Sequence, residues 1–95
     1  MIRIIRNRNF QVTFENGVTV SVFIGAGSYS SNHNRDFLTE REAEQTESSD
    51  AELAAWNKEG SWITTDLVPD AEDDVIGYLS PAQVLDFMNK AANYK

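Results

Sequence analysis

The sequence predicts an α+β fold, an antiparallel meander of about five or six strands packed against one C-terminal helix. Two segments alternate apolar and polar residues on either side of a turn that ends in glycine, which is the pattern of β-hairpins. The C-terminal segment begins with a helix-capping signature and continues with apolar residues at helical spacing. A chain of 95 residues cannot enclose a second core, so residues 1–95 are expected to form one domain.

The first strands are predicted near the N-terminus. "MIRII" indicates a strand with Ile2 and Ile4 on one face, and "FQVTFENGVTVSVFI" indicates a hairpin. A two-residue turn at Asn16-Gly17 would mix polar and apolar residues on both faces, whereas a three-residue loop over 15–17 separates them. We therefore predict that Gly17 adopts the left-handed conformation of a G1 bulge. The apolar face then carries the pairs Phe14–Val18, Val12–Val20 and Phe10–Val22 and continues at Ile24, and the polar face carries Gln11, Thr13, Thr19 and Ser21.

A second hairpin is predicted at "AELAAWNKEGSWITTDL". Its loop would be 58–60, with Gly60 left-handed and Trp56 opposite Trp62, which is a stabilising type of cross-strand pair. The Ala-rich first arm could instead form a short helix capped by Asp50. The glycine turn and the β-branched return arm favour the hairpin.

The clearest helix signal follows a short strand predicted at "VIGYL". Ser80 is a suitable N-cap, Pro81 occupies the first helical position, and Gln83 completes a capping box. These signals predict a helix in "SPAQVLDFMNKAANY". Its expected apolar stripe consists of Val84, Leu85, Met88, Ala91 and Ala92.

Two segments lack a core pattern. One runs from Ser28 to Asp50, and the other, "DLVPDAEDD", carries five acidic residues. A structureless loop as long as the first is uncommon in a compact domain, so it is expected to be functional, flexible or helical over "DFLTEREAEQ".

Composition excludes several classes of function. There is no cysteine, so disulfides, zinc–thiolate sites and cysteine nucleophiles are excluded. The sequence has no apolar run long enough to span a bilayer and no signal-peptide pattern, so we expect a soluble cytoplasmic protein without membrane contact.

The charge is distributed unevenly along the chain. Three of the eight basic residues, Arg3, Arg6 and Arg8, precede Glu15, which leaves five basic residues against all 15 acidic ones from Glu15 onward. The formal net charge is −7. Because such a surface repels a polyanion, direct nucleic-acid binding is not expected.

No motif predicts catalysis, a cofactor or a metal site. Gly25-Ala26-Gly27 lacks the following helix and lysine of a phosphate loop, and indicates the end of a strand instead. Ser28, His33 and Asp36 are the residue types of a nucleophilic triad, but no nucleophile elbow surrounds the serine. One histidine and no cysteine do not supply the usual ligands of a transition-metal site, and "DAEDD" lacks the spacing of a calcium-binding loop. An enzyme is therefore the least expected class.

Three stretches resemble a group of small proteins predicted in bacteriophage and prophage genomes. They are "NFQVTFENGVTVSVFIGAGSYSSN", "AELAAWNKEGSWI" and the helix-type segment "YLSPAQVLDFMNKA". The resemblance covers most of the chain and implies a small accessory protein in the cytoplasm of a bacterial host. The group has no assigned activity, so it supplies no functional residues.

The leading functional hypothesis is stoichiometric binding to a host protein, as an inhibitor or modulator of the anti-defence or anti-CRISPR kind. Acidic loops would engage a basic surface and could imitate nucleic acid. Trp56 and Trp62 are expected in the core, but they would form a binding hot spot if their face were exposed. The candidate partner-binding residues are Glu40, Glu42, Glu44, Glu47, Asp70, Glu72, Asp73, Asp74, Trp56 and Trp62.

Two other classes of function stay open from the sequence. One is a small-ligand or nucleotide-binding module, sponge-like, that uses the Gly25–Arg35 loop and is completed by self-assembly. The other is a structural or scaffolding phage protein that forms a homo-oligomer through exposed strand edges. The candidate ligand-binding residues are Gly25, Gly27, Ser28, Tyr29, Asn32, His33 and Arg35.

Overall fold

A computed structural model describes residues 1–5, 9–25, 27–33 and 47–95 of the chain. These residues form an α+β fold in which five antiparallel strands follow one another across a single sheet, in the order β1-β2-β3-β4-β5. The predicted fold class is confirmed, and the five strands observed are the lower of the two numbers expected. The elements are β1 (Ile2–Ile5), β2 (Asn9–Thr13), β3 (Thr19–Phe23), β4 (Ala51–Trp56), α1 (Thr64–Leu67), β5 (Val75–Leu79) and α2 (Pro81–Ala92).

The first hairpin has the predicted register. Phe10 lies opposite Val22, and Val12 lies opposite Val20. Gly17 has a φ of +84°, so the predicted left-handed glycine is confirmed. Alternation of apolar side chains therefore determines which face of this hairpin enters the core.

The helix α2 begins as predicted and covers one face of the sheet. The Ser80 side chain accepts a hydrogen bond from the backbone N–H of Gln83, and the Gln83 side chain accepts one from Ser80. The helix packs against β3, β4 and β5, with Phe87 at 1% exposure in the centre of the core. The buried apolar residues of that core are Val18, Val20, Val22, Ala51, Leu53, Ala55, Ile63, Leu67, Leu79, Phe87 and Ala91.

The predicted helix stripe is partly wrong. Leu85 is 63% exposed and Ala92 is also exposed, whereas Phe87, which is not part of the predicted stripe, is buried. Each helical residue turns by about 100°, so the buried stripe runs through positions 84, 87, 88 and 91 and leaves Leu85 on the flank. The aromatic side chain, not the leucine, occupies the centre of the helix–sheet interface.

The second hairpin forms its loop as predicted but does not continue as a strand. Its first arm is the strand β4, not a helix, and Gly60 has a φ of +84°. The return arm makes a single bridge, between Trp56 and Trp62, and then enters the short helix α1. The sheet position beside β4 is occupied by β5, with Ala54 opposite Val75.

The two edges of the sheet differ in their exposure. In β1, Ile2 and Ile4 share one face as predicted, but they remain 74% and 71% exposed because α2 lies over β3 to β5. At the other edge, β5 is interrupted by an irregularity where Tyr78 has a positive φ of 58°. The Tyr78 N–H donates instead to the Tyr29 carbonyl at 2.8 Å.

Candidate functional site

The tryptophan pair lies at the end of β4. The rings of Trp56 and Trp62 pack edge to face, with centroids 5.5 Å apart and planes at 80°. Trp56 is half-buried, and Trp62 is 51% exposed. The expectation that both tryptophans belong to the core is therefore wrong for Trp62, because the chain leaves the sheet directly after this residue. An exposed indole held in place by a second indole is a rigid apolar surface of the kind that anchors protein interfaces.

An acidic segment, 70–74, ends beside the tryptophan pair. The Thr64 hydroxyl accepts a hydrogen bond from the Ala55 N–H at 3.0 Å and donates one to the Asp74 carbonyl at 2.6 Å. Since Thr64 follows Trp62 by two residues and Ala55 precedes Trp56, this hydroxyl joins the three chain segments. The exposed carboxylates of the segment belong to Asp70, Glu72, Asp73 and Asp74.

Glu47, the other acidic candidate among the described residues, lies away from this surface. The carbonyl of Glu47 accepts a hydrogen bond from the Asn32 side chain, close to where β4 begins. Trp56 lies at the opposite end of β4, about 17 Å away at roughly 3.3 Å per residue. Glu40, Glu42 and Glu44 lie outside the described residues.

The loop from Gly27 to His33 has no arrangement of a nucleophile and a base. The Ser28 hydroxyl is buried and donates to the Gly25 carbonyl at 2.6 Å, and it also shares a hydrogen bond with the Ser30 hydroxyl. The Nδ1 atom of His33 lies 2.8 Å from the Ser28 carbonyl oxygen, and its ring stacks on the exposed Tyr29. The histidine therefore contacts the serine main chain and not its hydroxyl, and the contacts of Ser28 are structural. Asp36, the third member of the triad considered from the sequence, lies outside the described residues.

The backbone amides that could cradle a phosphate already have hydrogen-bond acceptors, some in the loop and others at the start of β4. The Tyr29 N–H donates to Glu52 Oε1 at 3.1 Å, and the Ser31 N–H donates to Asp50 Oδ1 at 2.5 Å. The Gly27 N–H donates to a carbonyl of the same loop. Two carboxylates thus already occupy positions that an anionic ligand would need.

The remaining candidates for ligand binding in this loop act as structural groups. Asn32 is 4% exposed, and its side chain donates to the carbonyls of Ile24 and Glu47 at 2.8 and 2.9 Å. Gly27 has a positive φ of 87°, and Gly25 is buried. Arg35, the expected anion partner, lies outside the described residues. These described groups of the loop are therefore engaged by the loop itself and by residues 47–52.

A groove that the sequence patterns did not identify lies on the sheet face opposite α2. It has a volume of about 280 Å³ and is open to solvent. The polar alternation of the first hairpin predicts part of its floor, but only the pairing of β1 and β4 with that hairpin adds the walls. The groove is lined by Met1, Arg3, Gln11, Thr13, Thr19 and Trp56.

Among the titratable groups in the described ranges, Tyr94 has a shifted pKa. The Tyr94 hydroxyl donates a hydrogen bond to Asp66 Oδ2 at 2.8 Å. This hydrogen bond, with smaller effects of desolvation and of the Asp66 charge, raises the pKa of Tyr94 above its ordinary value of 10.0. The contact joins the end of α2 to α1 and does not belong to a reactive site.

Within residues 1–5, 9–25, 27–33 and 47–95, no group of three His, Asp or Glu side chains is placed to hold a metal ion. No helix in the same ranges has the length and apolar character needed to cross a bilayer. The fold and the site define an α+β domain with an exposed aromatic–acidic surface at one end of its sheet. The chain matches no protein-family model, no curated protein and no solved structure.

Proposed function

We propose that this chain acts by stoichiometric binding to another protein and uses the surface formed by Trp62, Trp56 and the acidic segment 70–74. The observation that carries the proposal is the 51% exposure of Trp62, two residues before the Thr64 hydroxyl that holds the end of the exposed acidic segment. Tryptophan is among the residues that contribute most to protein interfaces when a partner desolvates it.

The charge of the chain indicates the chemistry of the partner. With a net charge of −7 and an exposed acidic segment held to Thr64 near the exposed indole in the chain, complementary binding requires a basic surface. A basic surface that normally holds nucleic acid would meet these requirements, so the interaction would act as nucleic-acid mimicry. The resemblance to phage proteins extends the proposal to a bacterial host protein and to an inhibitory or modulating, anti-defence type of effect, including an anti-CRISPR-like one.

The proposal is tested by capture from a bacterial lysate at low and high salt, with identification of the captured protein by mass. We expect a basic protein that is retained at low salt and released at high salt. In a binding assay with that purified protein, Trp62→Ala is expected to weaken the complex by about 30-fold, the effect of a hot spot worth about 2 kcal/mol.

Two variants provide the controls. Leu85→Ala removes an apolar side chain that is similarly exposed but lies on α2, so we expect unchanged affinity. Replacement of Asp70, Glu72 and Asp73 by lysine should abolish the salt-sensitive component. The proposal is wrong if the captured protein tolerates both this charge reversal and Trp62→Ala.

A second candidate function, a scaffolding protein that pairs through strand edges, is favoured by the exposed isoleucines of β1. Such an edge offers both unpaired backbone groups and an apolar face to a second copy. Measurement of the native mass of the purified chain separates the two candidates, because a monomer that binds the captured protein one to one supports the first.

A further inference from the structure

The groove on the sheet face opposite α2 has the composition of a ligand site. Its floor consists of short side chains, Thr13 and Thr19, whose hydroxyls share a hydrogen bond of 2.8 Å. Trp56 lies opposite Thr19 in the sheet and forms one wall. Arg3 and Gln11 lie opposite each other and form the other wall. Short residues between long ones leave a channel that extends over the three strand spacings from β1 to β4, roughly 14 Å.

The charge in the groove is opposite to that of the whole chain. Arg3 lines it, and no Asp or Glu is among the described residues that do so. The chain as a whole carries a net charge of −7. A guanidinium presents a planar set of donors that matches a carboxylate or a phosphate, so the groove is a local site for an anion in an acidic protein.

The aromatic wall adds a second requirement for the ligand. The Trp56 indole is held by the edge-to-face contact with Trp62, so it is oriented before a ligand arrives. A flat ring packs favourably on such an indole. The hydroxyls of the floor and the amide of Gln11 can orient a polar ligand without a charge of their own.

From this juxtaposition of a guanidinium, an indole and a floor of short polar residues, we propose that the groove binds a small anion that carries a flat aromatic ring. The ring lies against Trp56, and a phosphate or carboxylate group lies at Arg3. A nucleic-acid strand does not fit this proposal, because its further phosphates would be repelled by the net charge of −7 that the chain carries. The site is separate from the Gly25–Arg35 loop. It shares Trp56 with the proposed protein-binding surface but requires no partner protein.

The test uses the purified chain and four probes. Adenosine 5′-monophosphate and indole-3-acetate combine a flat ring with a phosphate or a carboxylate, and adenosine and indole lack the anion. We expect at least one of the two anionic probes to shift the amide resonances of Thr13 and Thr19 and the indole resonance of Trp56. It should bind about tenfold more tightly than its neutral counterpart, as one charge-assisted hydrogen-bonded contact predicts. A preference for one anion over the other identifies phosphate or carboxylate as the natural group.

Two variants locate the anion. Arg3→Gln should lower the affinity for the anionic probe about tenfold and leave the affinity for the neutral probe unchanged. Lys95→Gln removes an equal charge outside the groove and should change neither of these two affinities. Arg3→Lys, which keeps the charge, should bind with intermediate affinity and confirms that loss of binding does not reflect loss of the fold.

Three results would each overturn the proposal. The first is that neither anionic probe shifts resonances in the groove at millimolar concentration. The second is that Arg3→Gln and Lys95→Gln weaken binding equally, which would indicate attraction by overall charge. The third is that Arg3→Gln weakens the binding of adenosine as much as the binding of adenosine 5′-monophosphate.

Discussion

The two hairpin loops of this protein have nearly the same local structure and very different continuations. Gly17 and Gly60 end the loops with the same φ of +84°, and in each loop the glycine N–H donates to the carbonyl three residues earlier. After Gly17 the chain returns as the five-residue strand β3. After Gly60 it returns for one bridge and then leaves the sheet.

The difference originates beyond the turn, at Thr64. The Ala55 N–H, which a returning strand could have paired, donates to the Thr64 hydroxyl, and Thr64 donates to the Asp74 carbonyl. A side chain thus takes the place of backbone pairing and directs the chain into α1, so that β5 completes the sheet. Turn chemistry specifies where a hairpin begins, and contacts far from the turn specify how long it continues.

The largest expected effect comes from removing the Thr64 hydroxyl. Thr64 is fully buried, and Thr64→Val keeps its shape but leaves the Ala55 N–H and the Asp74 carbonyl without this partner. The Ala55 N–H is buried and the hydrogen bond to the Asp74 carbonyl is partly buried. An unsatisfied buried group costs about 1–3 kcal/mol, so we expect a loss of about 3 kcal/mol in the free energy of unfolding, measured by urea denaturation.

The neighbouring Thr65 is exposed and provides the matched control. Thr65→Val should change the free energy of unfolding by less than about 0.5 kcal/mol. If Thr64→Val were as stable as Thr65→Val, the Thr64 hydroxyl would not be the reason why the two hairpins continue differently.

A smaller effect is expected from alanine at the two glycines. Either substitution forces a side chain into the left-handed region, at a cost of about 1–2 kcal/mol. A Cβ at Gly60 meets open space, whereas one at Gly17 would lie 2.8 Å from the Cβ of Lys58 in the other loop. Gly17→Ala should therefore destabilise by about 1 kcal/mol more than Gly60→Ala in the same urea measurement.

The additional cost at Gly17 can be assigned by a double substitution. Lys58→Gly removes the atom that the new Cβ would meet. In this background the two alanine variants should differ by less than about 0.5 kcal/mol. A difference that persists without the Lys58 side chain would contradict the assignment and place the cause in the backbone of the first loop.

The smallest effect concerns the contact that holds α1, the helix that replaces the second return strand. The hydrogen bond to Asp66 raises the pKa of Tyr94 above 10.0, so its stabilising effect is complete below pH 10 and is lost as the pH rises through the raised value. We expect Tyr94→Phe to lower the thermal midpoint slightly at neutral pH, and the difference from the unmodified chain to vanish at strongly alkaline pH.

Titration of Tyr94 by NMR measures the same contact directly. Asp66→Asn should move the pKa of Tyr94 back towards its ordinary value, because the charged carboxylate that accepts the hydrogen bond from the Tyr94 hydroxyl is removed. An unchanged pKa in this variant would show that α1 is not held by Asp66.

Much of the fold could be predicted because its signals act over a few residues. The capping box at Ser80 and the alternation around Gly17 each involve neighbours in the chain, and both are confirmed. The helix stripe was predicted less accurately, since the choice between Leu85 and Phe87 depends on where the helix lies on the sheet. The candidate ligand site in the Gly25–Arg35 loop could not be judged from neighbouring residues either. Its amides at Tyr29 and Ser31 donate to Glu52 and Asp50, which lie about 20 residues further along the chain.

By itself, the sequence determined the turns, the register of the first hairpin and the start of α2, because alternation, left-handed glycine and capping are properties of adjacent residues. Only the tertiary structure decided that Trp62 is exposed, that Ile2 and Ile4 lie beyond the cover of α2, and that Arg3 shares a groove with Trp56. Each of these depends on which strands become neighbours. Strand order depends on the burial and hydrogen bonding of the whole sheet, and no short stretch of sequence contains that information.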